Sequence, residues 1–319
     1  MGLTEIYQEG KKILREKEFG WVLDAVETGF IPEHDRRMLD RYTFRPRYID
    51  GAEPITTCRI LDVELATPVI MSAMTMPIPA ITDTGLMDVA QALKDAGSLM
   101  WVGTPIPKNI KDLAATGVPL VANAKPFRDR DKVFRDLEEI QNAGVAWVGI
   151  ETDAGQGTKI HDKQVASDCA PLSLQELKDI RKKVSCPLIC KGILSRHDAE
   201  KCVEAGADGM VISNHGAHTL DYLPHALQVM DEIIKAVGDK TVLIVDGGFR
   251  RGSDVLKGLA FGASLVGLGR PVLYGLAAQG RQGVYHLIDE ITKEMVRIMS
   301  MIGAENPAKL TRAMLIEDP

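Results

Sequence analysis

The stretch Val211-Ile-Ser-Asn-His-Gly-Ala-His-Thr-Leu-Asp221 decides how this chain is read. With Met210 before them, Val211 and Ile212 form a short apolar run that predicts a buried strand ending at Ser213. His215 follows in a loop just past the strand's end, and the permissive Gly216 comes next. An imidazole at that point is either an ordinary surface histidine or a group placed where α/β enzymes put their chemistry, at the tip of a strand.

The same unit, an apolar run with a polar tip and then an amphipathic segment, recurs along the chain. Strands are predicted at Pro68–Ala73, Ser98–Val102, Pro119–Ala124, Ala146–Thr152, Pro187–Lys191, Gly209–Ser213, Val242–Asp246 and Ser264–Leu268. Helical patterns lie between them at Asp129–Ala143, Leu174–Lys183, Arg196–Ala205, Leu223–Val237 and Gly252–Phe261. Ser173 and Glu176 form a capping-box start before Leu177. Eight strands alternating with helices suit a (β/α)8 TIM barrel better than an open doubly wound sheet. The expected organisation is a single domain: a helical and irregular cap over 1–60, the barrel over 61–280, and a C-terminal helix and tail over 281–319, with the helix at Gln282–Met301.

Composition agrees with an enzyme of this kind. A chain of 319 residues can hold one large barrel, and its formal charge of -6 argues against nucleic acid as a partner. No apolar run reaches membrane-spanning length, so no membrane partner is expected. The start, Met1-Gly-Leu-Thr-Glu-Ile-Tyr7, lacks a basic region followed by an apolar core, and a cytoplasmic location is the default expectation. Cys58, Cys169, Cys186, Cys190 and Cys202 make no even disulfide framework. Cys186 and Cys190 share a face of a predicted strand and read as reduced core or lining residues, so no metal site is expected.

In a barrel the chemistry belongs at the C-terminal strand ends. Lys191 ends one predicted strand, His215 follows the next, Asp246 and Gly247 end a third, and Gly269-Arg270 ends the last. Asp153 lies just past Trp147-Val-Gly-Ile-Glu-Thr152. Asp246-Gly-Gly-Phe-Arg250 and Gly267-Leu-Gly-Arg270 fall in the last two βα loops. Such glycines either make tight turns or let backbone N–H groups approach a phosphate. Two Gly/Arg loops in adjacent units favour the phosphate. No early GxGxxG follows a first strand, so nothing suggests a Rossmann dinucleotide site.

Several long motifs occur in a fixed order: Cys186-Pro-Leu-Ile-Cys-Lys-Gly-Ile-Leu194, Asp198-Ala-Glu-Lys-Cys-Val-Glu-Ala-Gly-Ala-Asp208, Val245-Asp-Gly-Gly-Phe-Arg-Arg-Gly-Ser-Asp254 and Gly262-Ala-Ser-Leu-Val-Gly-Leu-Gly-Arg-Pro271. Together with the opening stretch they resemble the FMN-dependent α-hydroxy acid dehydrogenase/oxidase family, densely from about Pro187 to Gly283 and more weakly from Phe30 through Asp153. The resemblance implies one FMN, bound non-covalently. Its phosphate would be held by Gly248, Arg250, Gly269 and Arg270, with Asp246 as an acceptor for the ribityl hydroxyls. Lys191 would place positive charge beside the flavin pyrimidine ring, and Asn123, Glu151 and Ser213 would also contact the cofactor. His215 matches the catalytic base, and Asp153 matches the carboxylate that orients it.

The substrate end departs from the family pattern. His218 stands where the family has an arginine that grips the substrate carboxylate, and Lys125 aligns with a tyrosine. An early tyrosine aligns with Ala25 or Val26, the second clamp arginine is absent from Ala154-Gly-Gln-Gly-Thr158, and the loop that follows is shortened. His215, His218 and Lys125 are the candidate substrate contacts. The retained Asp153–His215–Lys191 set implies an FMN oxidoreductase for a small hydroxylated or amine-bearing molecule other than glycolate or L-lactate. Two further readings stay open: an FMN-dependent non-redox isomerase like the type 2 isopentenyl diphosphate isomerase, and a non-catalytic flavin-binding protein. The resemblance also implies a homo-oligomer, tetramer or octamer. The electron acceptor is not legible.

Overall fold

A computed structural model describes residues 1–17, 19–49, 51–154 and 168–318. Two short strands near the start, β1 (Tyr42–Phe44) and β2 (Cys58–Ile60), precede β3 (Val63–Leu65). Eight strands then follow: β4 (Val69–Met71), β5 (Met100–Val102), β6 (Leu120–Ala124), β7 (Trp147–Glu151), β8 (Leu188–Ile193), β9 (Gly209–Ile212), β10 (Val242–Val245) and β11 (Leu265–Leu268). These eight form one parallel sheet in sequence order, with β11 beside β4. The circle closes between β4 and β5 through Met71 N–H to Leu99 O at 3.1 Å and Met74 N–H to Trp101 O at 3.2 Å. The fold is a (β/α)8 barrel.

Strand periodicity sorts the side chains into layers. Ile70, Trp101, Val121, Trp147, Ile189, Val211, Ile244 and Leu265 point inward and form one apolar cluster inside the barrel. The antiparallel β2–β3 hairpin packs against this cluster through Leu65, Cys58 and Val63, and Trp147 Nε1 donates to Leu61 O at 3.3 Å. Two residues further along each strand, the inward positions are Ser72, Gly103, Asn123, Gly149, Lys191, Ser213, Asp246 and Gly267. Hence the C-terminal mouth has a polar and glycine-rich floor resting on an apolar plug. A second, larger core fills the space between strands and helices.

Helix Leu174–Lys183 starts at the expected capping box: Ser173 Oγ accepts from Glu176 N at 3.2 Å, and Glu176 Oε2 accepts from Ser173 N at 2.7 Å. The last helix is longer than expected. It runs from Arg270 to Ile302 and is interrupted by non-helical backbone at Gln279 and Gly280. β12 (Leu315–Glu317) returns to pair antiparallel with β1, which ties the tail to the N-terminal segment. Among the described residues no helix is long and apolar enough to cross a membrane.

Candidate active site

A single turn carries the central histidine. β9 ends at Ile212, and Ser213 Oγ accepts the His215 N–H at 3.0 Å while Asn214 Oδ1 accepts the Gly216 N–H at 3.2 Å. His215, Gly216 and Ala217 all have left-handed backbone, with φ of 57°, 59° and 66°. For the two non-glycine residues this costs roughly 1–2 kcal/mol each, so neighbours must hold the turn. Asp35, on helix Phe30–Asp40, accepts from Asn214 Nδ2 at 2.8 Å. Val26 N–H donates to Ala217 O at 2.9 Å, and Arg270 Nη2 donates to Gly216 O at 2.9 Å.

The turn sets His215 Nδ1 2.6 Å from Asp153 Oδ2. Burial pushes the Asp153 carboxyl upward, but the charges of His215 and Lys191 and the hydrogen bond from His215 outweigh it and hold the group below its ordinary value. Asp153 is therefore ionised at neutral pH, and Nδ1 carries the proton it donates. Nε2 is left as the nitrogen that can take a proton. The backbone at Gly192 makes room for this carboxylate, since Gly192 has φ +96° and faces the Asp153 side chain.

One cavity opens at the mouth of the barrel. Its wall includes Lys191, Glu151, His215, His218, Asp246, Gly248, Arg250, Gly269 and Arg270, so strand tips far apart in sequence converge as expected. Asn123, Lys125, Ser213 and Asp153 lie behind that wall. Asn123 accepts from Trp101 Nε1 at 2.7 Å and donates to Glu151 Oε1 at 3.4 Å. Lys125, expected at the polar end of a substrate pocket, instead pairs with Glu151 Oε2 at 2.7 Å in a buried site. Lys125 is not among the residues that line the cavity, whereas Glu151 is. The segment after Asp153, with its missing arginine and shortened loop, lies outside the described residues.

The Gly247–Arg250 loop is fixed from outside. Gly248 has φ +76°, and a β-carbon there would lie 2.7 Å from Asp35 Cβ. Arg36 donates from Nη1 to Gly248 O at 3.0 Å and to Asp254 Oδ2 at 2.7 Å, and the same carboxylate oxygen accepts the Arg250 N–H at 2.9 Å. Arg270 caps the other loop and donates from Nη2 to both Asp24 O at 3.0 Å and Gly216 O at 2.9 Å.

These residues suit a phosphorylated flavin. Lys191 Nζ, Asp246 Oδ1 and Ser72 Oγ are buried in this region without a hydrogen-bond partner among the described residues, and all three residues line the cavity. Orphaned donors and acceptors of this kind call for a polar ligand. Arg250 and Arg270, in the segments after β10 and β11, line the same cavity as Lys191 on β8, a set of charges suited to a ligand with a phosphate and a polar ring system. Ser72, Asp35, Asn214, Trp21 and Met74 were not legible as site residues. Asn214 stands inside the quoted Ser-Asn-His-Gly run, so its motif was visible. Asp35 acts on it from 179 residues away and leaves no local signal.

Comparison with known proteins agrees. The model of a family described as FMN-dependent dehydrogenase matches residues 10–165 and 155–317. The chain is 28% identical to glycolate oxidase 3 of Arabidopsis thaliana, covering 100% of this chain and 97% of that protein. It is 29% identical to an L-lactate oxidase of Lentilactobacillus hilgardii, covering 99% and 94%. The crystal structure of a mandelate oxidase superposes with a TM-score of 0.91 at 26% identity, covering 99% and 97%. An arginine-to-leucine variant of mandelate oxidase, solved with 2-hydroxy-phenylacetamide, superposes with a TM-score of 0.87 at 27% identity, covering 99% and 97%. The chain belongs to the FMN-dependent dehydrogenase family.

Proposed function

We propose that this protein is an FMN-dependent oxidase or dehydrogenase of a small hydroxylated substrate, with His215 as the base, Asp153 as its orienting partner and Lys191 as the charge beside the cofactor. The observation that carries this reading is the 2.6 Å His215–Asp153 pair at the mouth of a cavity whose floor holds the Lys191 ammonium, which has no hydrogen-bond partner among the described residues. Bound FMN supplies the two-electron acceptor. His215 Nε2 takes one proton from the substrate, and Asp153 stabilises the resulting imidazolium. Arg250, Arg270 and Gly248 hold the phosphate, and Asp246 accepts from the sugar-like chain. The relatives named above are oxidases, which favours net oxidation over the isomerase and binding-only readings.

The substrate end favours a molecule bulkier or less acidic than glycolate or L-lactate. Among the described residues on the cavity wall the permanently cationic side chains are Lys191, Arg250 and Arg270, all assigned to the cofactor. His218 stands in place of a carboxylate-gripping arginine, and Trp21, Met74, Met76 and Pro77 add apolar wall. Mandelate oxidase with an arginine removed was solved with a neutral hydroxy amide, which supports the same substrate chemistry here.

The test is the absorbance spectrum of purified protein, followed by anaerobic reduction with paired acids and amides such as mandelate and 2-hydroxy-phenylacetamide. His215→Gln should keep the flavin spectrum and slow reduction by about 10²-fold or more, the scale of general-base catalysis. Unchanged single-turnover reduction in that variant removes His215 from the mechanism.

A further inference from the structure

Helix Phe30–Asp40 lies in the N-terminal segment, before the first barrel strand, yet it reaches the site. Its start is tied to the end of the histidine segment, where Asp221 Oδ2 accepts from Thr28 N at 3.0 Å, Thr28 Oγ1 at 2.6 Å and Phe30 N at 3.3 Å. Further along, Arg36 donates to Gly248 O and to Asp254. The helix is thus held without help from Asp35, whose side chain is 2% exposed and lines the cavity. Burial raises the Asp35 carboxyl to about 7, and Asp246 adds to the rise against Asn214, Arg270 and Arg250. An acid in such a place is costly unless a hydrogen bond uses it. Here Oδ1 accepts from Asn214 Nδ2 at 2.8 Å, and Asn214 Oδ1 accepts the Gly216 N–H at 3.2 Å. The carboxyl is backed by the next loop: a β-carbon on Gly247 would lie 3.4 Å from Asp35 Oδ2, and one on Gly248 2.7 Å from Asp35 Cβ.

We propose that Asp35 is a positioning residue for the base, holding the His215 turn in its left-handed conformation through Asn214. Asn214 is 1% exposed and joins the Gly216 N–H to the Asp35 carboxyl, so the strained turn is braced by a helix outside the barrel. An oxygen of the carboxyl accepts in its neutral and in its ionised form, so the brace holds across the titration. Without that acceptor, Asn214 Nδ2 is left buried and unsatisfied, and the side chain is free to turn away from Gly216. His215 then loses its fixed direction, and a small misplacement of a reacting group is costly. The proposal rests on the reading of His215 as the base in an FMN site.

The experiment is single-turnover reduction of the flavin-loaded parent, Asp35→Ala, Asp35→Asn, Asn214→Ala and His34→Ala over a range of 2-hydroxy-phenylacetamide or mandelate concentrations. Asp35→Ala should lower the limiting rate by about tenfold or more, the scale of a lost hydrogen bond to a charged group, with little change in the half-saturating concentration. Asp35→Asn keeps an oxygen for Asn214 and should stay within about threefold of the parent. His34 pairs with Gln228 on the same helix, and His34→Ala should leave the limiting rate unchanged. A loaded Asp35→Ala protein with the parent's limiting rate overturns the proposal. Equal slowing in Asp35→Asn or in His34→Ala also overturns it, since either would mean that the helix as a whole had moved. If Asp35→Ala does not hold flavin, Asn214→Ala breaks the same hydrogen bond from the side of the turn and decides: slowing by about tenfold supports the brace, and the parent's rate overturns it. A parent without flavin, or a His215→Gln protein that reduces at the parent rate, overturns the functional reading and the proposal with it.

Discussion

A β-carbon on Gly192 would lie 2.5 Å from Asp153 Oδ1 and closer still to its Cγ. Gly192 also has φ +96°, a conformation that side-chain-bearing residues rarely adopt. The carboxylate that fixes the tautomer of His215 therefore depends on a missing side chain on the adjacent strand. Gly192→Ala should displace Asp153, keep FMN and slow flavin reduction by about 10²-fold, as Asp153→Asn should. Because both act through His215, the double variant should be no slower than the slower single. Stopped-flow reduction of the four proteins checks this. A Gly192→Ala protein that reduces at the parent rate would show that Asp153 can move without consequence.

Arg270 joins three parts of the molecule. It lines the cavity, at the end proposed for the phosphate, while its Nη2 donates to Gly216 O on the histidine turn and to Asp24 O on the N-terminal segment. Arg270→Lys keeps a positive charge and loses the planar fork. It should weaken FMN binding by about tenfold, the value of a charged hydrogen bond, and also slow reduction in the loaded protein because the strained turn loses a support. Among the described residues the Arg250 side chain makes no such link, and Arg250→Lys should change affinity alone. The double Arg250→Ala/Arg270→Ala protein should be purified without flavin. Fluorescence titration with FMN and single-turnover kinetics separate the two effects. Equal slowing in both lysine variants would contradict the link.

Much of the barrel was legible because each strand is an apolar run bounded by Gly or Pro. The eight predicted strands overlap the eight observed, and the tips named from sequence fall on one mouth. What was not legible depends on non-local partners. β1 and β12 are three-residue strands stabilised by each other across the length of the chain. The β2–β3 hairpin makes sense only once the inward layer it plugs exists. Helices Gly85–Asp95 and Ile110–Ala115 are not among the helical patterns read from the sequence. At the site, residue type suggested a role for Lys125, but its pairing with Glu151 could not be read from a one-dimensional pattern.

His225 gives a pH dependence with a defined sign. Its Nδ1 accepts from Leu227 N–H at 3.3 Å and its Nε2–H donates to Gly247 O at 3.0 Å, so the neutral ring both caps helix Ala226–Val237 and holds the Gly247–Arg250 loop. Burial pushes its pKa from 6.5 down to about 4. Between these values the unfolded chain binds a proton that the folded protein refuses, so this contribution is full above pH 6.5 and is lost as pH falls toward 4. The loss is on the order of 3 kcal/mol at most. Asp35 works in the opposite sense, because burial raises its carboxyl to about 7 and its contribution is lost as pH rises. The measurement is therefore the difference in unfolding free energy between parent and His225→Asn. That difference should grow as pH rises from 4 to 6.5, and a flat difference would mean the buried ring is not held neutral.

Restoring one cation should test how the substrate end was rebuilt. His218 lines the cavity where the family motif has arginine, and Lys125, the other candidate cation, is held by Glu151. An imidazole cannot make the paired donors that an arginine offers to a carboxylate. The parent should therefore reduce poorly with L-lactate. His218→Arg should raise reduction by L-lactate by about 10- to 100-fold, the equivalent of one or two charged hydrogen bonds, and should leave reduction by a neutral hydroxy amide unchanged or lower. A gain with both substrates would mean that the arginine acts on the cofactor and not on the carboxylate. Rapid reduction of the parent itself by L-lactate, with a KM in the ordinary range of about 1 μM to 1 mM, would show that His218 already serves as the carboxylate partner.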